Sequence, residues 1–132
     1  MDATLFLIFS HELTQEQVDD ATQRQNVTKF VPLPEPLQEL WKNIPPELDS
    51  LEAYLAPIVA WINKHCKANE DLVLIQGDFG ATYFLVNHCL IHHYARPVYA
   101  TTERQVVEEQ QKDGTVITKR VFKHKKFRKY HR

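Results

Sequence analysis

Residues 71–83 read DLVLIQGDFGATY. The first part is a continuous aliphatic run, which is typical of a strand buried on both faces of a parallel sheet. It passes directly into the turn Gly77-Asp78-Phe79-Gly80 and then into a helix predicted over about 81–94. A strand, a glycine-flanked turn and a helix in immediate succession indicate an α/β fold, in which ligands bind beyond the ends of the strands.

The rest of the chain continues this alternation outward from residues 71–83. The further predicted elements are a strand at 3–9, a helix at 14–25 begun by a capping box of Thr14 and Gln17, a strand at 27–33, two helical pieces within 34–67 separated at 44–46, a strand at 97–101, and a β-hairpin turning at Asp113-Gly114. Such alternation predicts a Rossmann-like, mostly parallel sheet flanked by helices, with the hairpin at its C-terminal end.

Length and composition predict one domain over residues 1–132, with a basic hairpin and tail at about 104–132. Hydrophobic residues make up 43% of the chain and charged residues 25%, which is ordinary globular usage. The apolar run at 4–9 is far shorter than the roughly 20 residues of a membrane span, and no basic leader precedes it. We therefore expect a soluble, cytoplasmic protein with no membrane partner. Cys66 and Cys89 are predicted to be buried free thiols.

Charge is distributed unevenly along the chain. Residues 96–132 hold eleven of the sixteen basic residues against four acids, a net charge of +7, whereas residues 1–95 carry −8. A basic end on an acidic body suggests a phosphate-bearing ligand or RNA near that end. The alternatives are a solvated tail, or a tail that pairs with the acidic body of its own or a partner chain.

Polar residues follow three of the predicted strands. They are Ser10 and His11, then Gln76, Gly77, Asp78, Phe79 and Gly80, and finally Thr101, Thr102 and Arg104. Glycines permit close backbone approach, and a following helix presents free N–H groups to an anion. Histidine is a natural acid or base near neutral pH, and arginine chelates phosphate. A plain turn or helix start explains each segment equally simply when it is taken alone.

Other polar groups carry weaker signals. His88 and His92 have the i, i+4 spacing of a metal-binding pair, but no third ligand lies nearby in sequence, so surface or interface histidines and no metal are predicted. The paired acids Asp19-Asp20 and Glu108-Glu109 read as solvated faces. The run 122–130 interleaves aromatic and basic residues, as in a single-strand nucleic-acid platform, although a strand with one apolar and one charged face has the same spacing.

Five segments together resemble a small CRISPR-associated protein family of type III systems. They are LFLIFSHELTQEQ (5–17), LQELWKNIPP (37–46), VLIQGDFGATY (73–83), PVYATTER (97–104) and FKHKKFRKY (122–130). The resemblance covers about residues 4–130. Members of that family are regarded as ring nucleases with a reduced CARF-like (CRISPR-associated Rossmann) fold.

The resemblance implies an enzyme that linearises cyclic oligoadenylate, with cyclic tetra-adenylate as the expected substrate, and so switches off type III signalling. It implies a homodimer that needs no metal, no other cofactor and no long nucleic acid. Carried onto this sequence, Ser10, His11, Asp78 and Arg104 become candidate catalytic residues. The candidate ligand-binding residues are Gln76, Gly77, Phe79, Gly80, Thr101 and Thr102. Tyr83, His88 and His92 are candidates for a dimer interface.

Three other functions remain open at this stage. The chain is alternatively a sensor or sponge that holds cyclic oligoadenylate without cutting it, an unrelated nucleotide- or sugar-phosphate-processing enzyme, or an RNA-binding protein that uses its basic aromatic tail. Turnover separates the ring nuclease from the sensor, and ligand class separates both from the third. A steep salt dependence with long RNA would favour the fourth.

Overall fold

The computed structural model describes residues 2–66 and 69–132, and this part of the chain is a mixed α/β structure. Its elements in chain order are β1 (Ala3–Phe9), α1 (Gln15–Gln25), β2 (Val27–Pro32), α2 (Glu35–Lys42), α3 (Glu52–His65), β3 (Leu72–Gln76), α4 (Phe79–His92), β4 (Arg96–Gln110) and β5 (Val116–Lys129). The predicted α/β class is confirmed. The predicted helical span 34–67 reaches Lys67, which lies outside the described residues.

The five strands form one sheet in the order β2-β1-β3-β4-β5. The first four strands are parallel and β5 is antiparallel to β4. The chain moves outward from β1 to β2 and then returns past β1 to β3, so the direction of winding reverses between β1 and β3. In open α/β sheets, this point of reversal leaves a crevice at the carboxyl ends of the strands.

Helices cover both faces of the sheet and produce two apolar cores. Phe6 and Ile8 of β1 point towards α2, α3 and α4, whereas Leu5 points towards α1. This alternation follows from the two-residue period of a strand. Leu5 and Ile8 are at most 1% exposed, and burying each such side chain stabilises the fold by about 1.5–3 kcal/mol.

Helix α1 begins and ends as its sequence predicts. The Thr14 side chain accepts a hydrogen bond from the Gln17 N–H, and the Gln17 side chain accepts one from the Thr14 N–H, which completes the capping box. Asn26 ends the helix in the left-handed region at φ 58°, a conformation that asparagine tolerates better than most residues.

Strand β4 extends well beyond its predicted end. We expected a short strand at 97–101, but β4 runs without interruption to Gln110 and pairs with β5 along its length. Cross-strand pairing with β5 satisfies the backbone groups that would otherwise end the strand. A register irregularity between Ala100 and Thr102 separates the sheet proper from a protruding ribbon. Residues 101–126 are called the arm below.

The arm turns where the sequence predicts. Gly114 has φ +87°, a conformation in which a Cβ would be strained. Asp113 Oδ1 accepts hydrogen bonds from the backbone N–H and the hydroxyl of Thr115, at 3.0 and 2.6 Å. These bonds hold the pKa of the Asp113 carboxyl below its ordinary value.

Both cysteines are buried and free, as predicted. Burial raises the pKa of the Cys66 thiol, and it raises that of Cys89 to about 12. Neither thiol therefore has the thiolate character that a nucleophile needs. Within the described ranges, no helix combines the length and the apolar character that crossing a lipid bilayer requires.

The turn after β3 yields a stability prediction. A Cβ built on Gly77 would lie 2.8–2.9 Å from the indole ring of Trp41, whereas one on Gly80 would lie 3.6 Å from its nearest neighbour. We expect Gly77→Ala to destabilise the protein by about 1–3 kcal/mol, because the buried indole must move. The matched Gly80→Ala should be neutral or stabilise by up to about 1 kcal/mol, because Gly80 is helical. Urea unfolding of both variants measures the difference, and equal midpoints would contradict this packing.

Candidate functional site

The structure brings two of the three predicted polar segments side by side. Phe9, the last residue of β1, pairs with Gln76, the last residue of β3. Ser10 and His11 therefore leave the sheet next to Gly77 and the residues after it, at the point where the winding reverses. The N-terminus of α4 follows directly, and its free N–H groups and dipole favour an anion.

Gln76 connects this edge to β4. Its side-chain oxygen accepts a hydrogen bond of 2.9 Å from the Ala100 N–H. Its carbonyl oxygen accepts one of 3.2 Å from the Trp41 indole N–H. Both oxygens thus already accept a hydrogen bond from the protein itself.

The turn after β3 also has a structural role. The close approach that Gly77 permits is made by the Trp41 ring from inside the protein. Asp78 caps α4, because its Oδ2 accepts a 3.0 Å hydrogen bond from the Ala81 N–H. Its other carboxylate oxygen is not part of that cap. Among the glycines that the structure describes, Gly114 has a positive φ, whereas Gly77 and Gly80 in this turn do not.

Two aromatic rings stand in solvent beside the turn. Phe79 is 94% exposed at the first position of α4, and Tyr83, one helical turn later, is 73% exposed. Single exposed apolar residues are common on protein surfaces, but a phenylalanine ring that is almost fully exposed is available for stacking with another flat ring. Both residues were selected from sequence, Phe79 for the ligand and Tyr83 for an interface.

His11 is exposed and its ring packs against Phe9, with the two planes nearly perpendicular and the ring centroids 5.4 Å apart. Ser10 is partly exposed beside it. An exposed imidazole at the strand edge is accessible to a ligand proton, and the Phe9 contact limits its orientation.

The third predicted segment does not end a strand. The hydroxyl of Thr101 donates to the Lys126 carbonyl at 2.7 Å and accepts from the Lys126 N–H at 3.1 Å. It therefore closes the irregularity at the base of the arm. Thr102 is paired with His124, and Arg104 with Phe122. The Cα of Arg104 lies roughly 13 Å along β4 from Ala100, at about 3.4 Å per residue. The expectation that Thr101–Arg104 forms a strand end is wrong, because pairing with β5 carries β4 onward.

A cavity lies next to this edge, at the ends of β1 and β2. It has a volume of about 720 Å³. Its floor is apolar, and three glutamates and one lysine stand at its rim. The lining includes Leu7, Phe9, Leu13, Phe30 and Leu33 from the floor, Glu12, Glu35, Glu39 and Lys42 from the rim, and Ser10 and His11. This group is called the rim cavity below.

Of the residues that line the rim cavity, only Ser10 and His11 were predicted from sequence to belong to a site. The rim residues of α2 recur at 35, 39 and 42, which places them on one side of that helix. That periodicity was the available signal. It does not distinguish a cavity wall from an ordinary solvated face, because the apolar floor comes from β1, β2 and α1.

A buried contact between a histidine and an aspartate joins α1 to the base of the arm. His124 Nε2 lies 2.8 Å from Asp20 Oδ2, and these side chains are 5% and 7% exposed. The Phe127 N–H also donates to Asp20 Oδ2, at 3.2 Å. The prediction that Asp19-Asp20 is a solvated face is therefore wrong for Asp20, because β5 covers it. The partners are 104 residues apart, so the sequence alone could not pair them.

The histidine pair on α4 forms an aromatic cluster. The rings of His88 and His92 lie 4.6 Å apart and both contact Tyr94. His88 Nε2 is 2.7 Å from the Asn63 side-chain oxygen. Over residues 2–66 and 69–132, no group of three or more His, Cys, Asp or Glu side chains is placed to hold a metal ion.

Comparison with known proteins gives the relationship of the chain. The model of the uncharacterized protein MJ1673 family matches residues 3–128. The chain belongs to the MJ1673 family. It is 51% identical over 126 residues to uncharacterized protein MJ1673 of Methanocaldococcus jannaschii, covering 96% of this chain and 95% of that protein. No solved structure matches. The MJ1673 family match includes β1, β3 and the whole arm.

The aromatic cluster predicts a pH effect on stability. Burial, and secondarily the neighbouring His92, lowers the pKa of His88 from its ordinary 6.5. The unfolded chain therefore binds a proton at His88 more readily, so this contribution is present above about pH 6.5 and is lost as pH falls through the lowered pKa. We expect His88→Gln to flatten the fall in Tm between pH 7.5 and 5. His131→Gln, in the C-terminal tail, should leave the wild-type slope. Parallel curves for wild type and His88→Gln would contradict this assignment.

Proposed function

We propose that this member of the MJ1673 family is a ring nuclease that linearises cyclic oligoadenylate without a metal ion. The observation that carries the proposal is the adjacency of Ser10 and His11 with the Gly77–Gly80 turn, where the winding of the sheet reverses. His11 follows β1 at that edge, and the N-terminus of α4 with the exposed Phe79 ring follows β3. This gives a proton acceptor, helix N–H groups and an aromatic ring. Cyclic tetra-adenylate needs all three, because it is a ribose-phosphate ring with four projecting adenines.

The sheet order supports the finer fold assignment that accompanies this function. Four parallel strands in the order β2-β1-β3-β4, with helices on both faces, suit a reduced CARF-like Rossmann fold. In such folds the ligand lies across the strand ends. The added β5 and the arm are then an elaboration of the β4 edge.

The proposed reaction is an internal transfer of the phosphate. The 2′-oxygen of one adenosine attacks the adjacent phosphorus, the bond from phosphorus to the next 5′-oxygen breaks, and a 2′,3′-cyclic phosphate forms. One proton leaves the 2′-hydroxyl and one reaches the 5′-oxygen, so water is not consumed. Catalysis then consists mainly of alignment and stabilisation of phosphate charge.

Different residues at the edge carry out proton transfer, phosphate binding and base stacking in this proposal. His11, exposed beside Ser10, accepts the 2′-hydroxyl proton, and Ser10 hydrogen-bonds a phosphate oxygen. The N–H groups at the start of α4 stabilise the anionic phosphate. Asp78 is the second candidate base, since one of its oxygens remains outside the helix cap. Phe79 stacks on an adenine.

Charge favours the part of this edge near β3 and β4 as the place for the phosphates, because Ser10 and His11 at the end of β1 also line the rim cavity. Glu12, Glu35 and Glu39 surround the rim cavity and would repel a tetra-anion. The base of the arm offers the opposite sign through Arg104, Lys123 and Lys126. The Arg104 guanidinium lies over the Phe122 ring of the arm, at 5.5 Å from its centroid, and in this proposal it contacts a ring that is held between two copies of the chain.

The decisive experiment is turnover in EDTA. We expect purified protein incubated with cyclic tetra-adenylate and EDTA to give linear adenylates with 2′,3′-cyclic phosphate ends, detected by mass spectrometry over time. An intact ring after long incubation with excess protein would overturn the proposal. Tight binding in that same sample would identify a sensor or sponge instead.

Single variants assign the roles under limiting protein. His11→Ala should lower the cleavage rate by a factor of about 10²–10⁴, as for loss of a general base. Arg104→Ala should weaken binding of cyclic tetra-adenylate. Asp78→Asn tests the second candidate base, because asparagine still caps a helix. Wild-type rates in both His11→Ala and Asp78→Asn would remove these residues from the reaction.

The exposed ring gives a binding prediction that is independent of turnover. We expect Phe79→Ala to weaken binding of cyclic tetra-adenylate by about 1–3 kcal/mol, the usual contribution of stacking on one base. Ile91→Ala is the matched control, because Ile91 is 48% exposed at the far end of the same helix. Calorimetric titration at one salt concentration compares the two variants, and equal affinities would exclude a stacking role for Phe79.

A further inference from the structure

The arm is a long two-stranded ribbon with little support from the body. Its paired residues run from Thr102 opposite His124 to Gln110 opposite Val116, which extends it by about 30 Å beyond the sheet. Beyond the buried His124, the arm's side chains are exposed or at most partly buried. A two-stranded ribbon that leaves its apolar side chains in water is marginally stable on its own. Burial of its apolar residues against another surface would therefore stabilise the arm.

The two faces of the arm differ. Directly paired residues share a face, and so do alternate residues along each strand. One face, called the outer arm face below, begins at Thr102 and at His124, which is buried against α1, and continues through Arg104, Val106, Glu108, Gln110, Val116, Thr118, Arg120 and Phe122. Val106 and Phe122 are each 63% exposed and Val116 is 58% exposed, whereas Val107, Ile117 and Val121 on the opposite face are 37–45% exposed.

Charge distinguishes the faces further. On the opposite face, Lys119 is paired with Glu109 at 2.6 Å, and Glu103 with Lys125 at 3.2 Å. Among the ion pairs of the described residues, none includes Arg104 or Arg120. The outer arm face therefore combines exposed apolar side chains with Arg120 and with Arg104, whose guanidinium lies over the Phe122 ring at 5.5 Å from its centroid. The acidic side chain on this face is Glu108.

The rim cavity has the complementary character. Its floor is apolar and its rim bears Glu12, Glu35 and Glu39 against the single cation Lys42. A segment that presents valine and phenylalanine side chains with arginines between them satisfies both parts: the apolar groups fill the floor, and the guanidinium groups meet the glutamates in bidentate geometry.

We propose that the outer arm face of one copy docks in the rim cavity of a second copy, and that the second arm returns the same contact. The chain cannot easily make this contact with itself. The rim cavity lies at β1 and β2, the arm leaves from β4 and β5, and β3 stands between them. The arm also extends away from the strand ends. A two-fold axis places each arm over the strand ends of its partner. Because both copies then use both surfaces, the assembly stops at a dimer.

The inference stands on the arm and the rim cavity and does not need the chain to cleave cyclic oligoadenylate. In this arrangement the basic C-terminal third binds an acidic surface, and a second copy of the same chain provides that surface. RNA is the competing occupant of a basic ribbon, but the exposed Val106 and Phe122 and the acidic cavity favour a protein surface.

Charge reversal tests the docking without cutting the arm. Val106→Glu with Arg120→Glu makes the outer arm face acidic, and Glu35→Lys with Glu39→Lys makes the rim basic. All four residues are exposed, so folding should be unaffected, and circular dichroism checks this. Val121→Glu with Lys123→Glu is the matched control on the opposite arm face.

Sedimentation velocity gives the readout. We expect wild type and the control to be dimers, and each reversed variant to be at least tenfold weaker in dimerisation. An equimolar mixture of the two reversed variants should recover a dimer, because both arm contacts are then complementary. A monomeric wild type, a reversed arm that still dimerises like the control, or a mixture that stays monomeric would each overturn the proposal. Salt-sensitive RNA binding by a monomeric wild type would identify RNA as the occupant.

Discussion

The parallel pairing of β1 with β3 is the constraint on which the rest of the molecule depends. It aligns Phe9 with Gln76, and so decides that the residues after both strands leave the sheet together. Gln76 extends this alignment to β4 through the Ala100 N–H. Trp41 then fits under the turn only because Gly77 has no side chain. One ladder of backbone hydrogen bonds thus positions the α4 N-terminus, His11 and the entrance of the rim cavity.

Local signals in the sequence predicted most of this arrangement. The aliphatic runs of β1 and β3, the capping box at Thr14 and the Asp113-Gly114 turn each depend on residues close to one another in the chain, and each is confirmed. The end of β4 was predicted wrongly because strand length there is decided by pairing with β5, a contact between distant residues. The same reason hid the Asp20–His124 pair and the apolar floor of the rim cavity. The proposed chemistry at Ser10, His11 and Asp78 stays a prediction.

Two regions of opposite charge give the molecule its polarity. The acidic body and the basic arm remain distinct in space because β5 pairs with the edge of the sheet and carries the basic residues outward. Asp20 is the exception, a body carboxylate that is buried against the arm's His124. Burial makes this contact sensitive to loss of either partner, so it fixes where the arm begins.

The irregularity at Thr101 has a consequence for how this family tolerates insertions and deletions. Side chains alternate between the two faces of a ribbon, so a change of one residue in β4 or β5 beyond that point exchanges the faces completely. Adding or removing one residue from each strand near the turn only alters the length of the arm. We therefore expect related chains to vary in arm length by paired steps, with the irregularity and its threonine hydroxyl kept at a fixed distance from the end of β3.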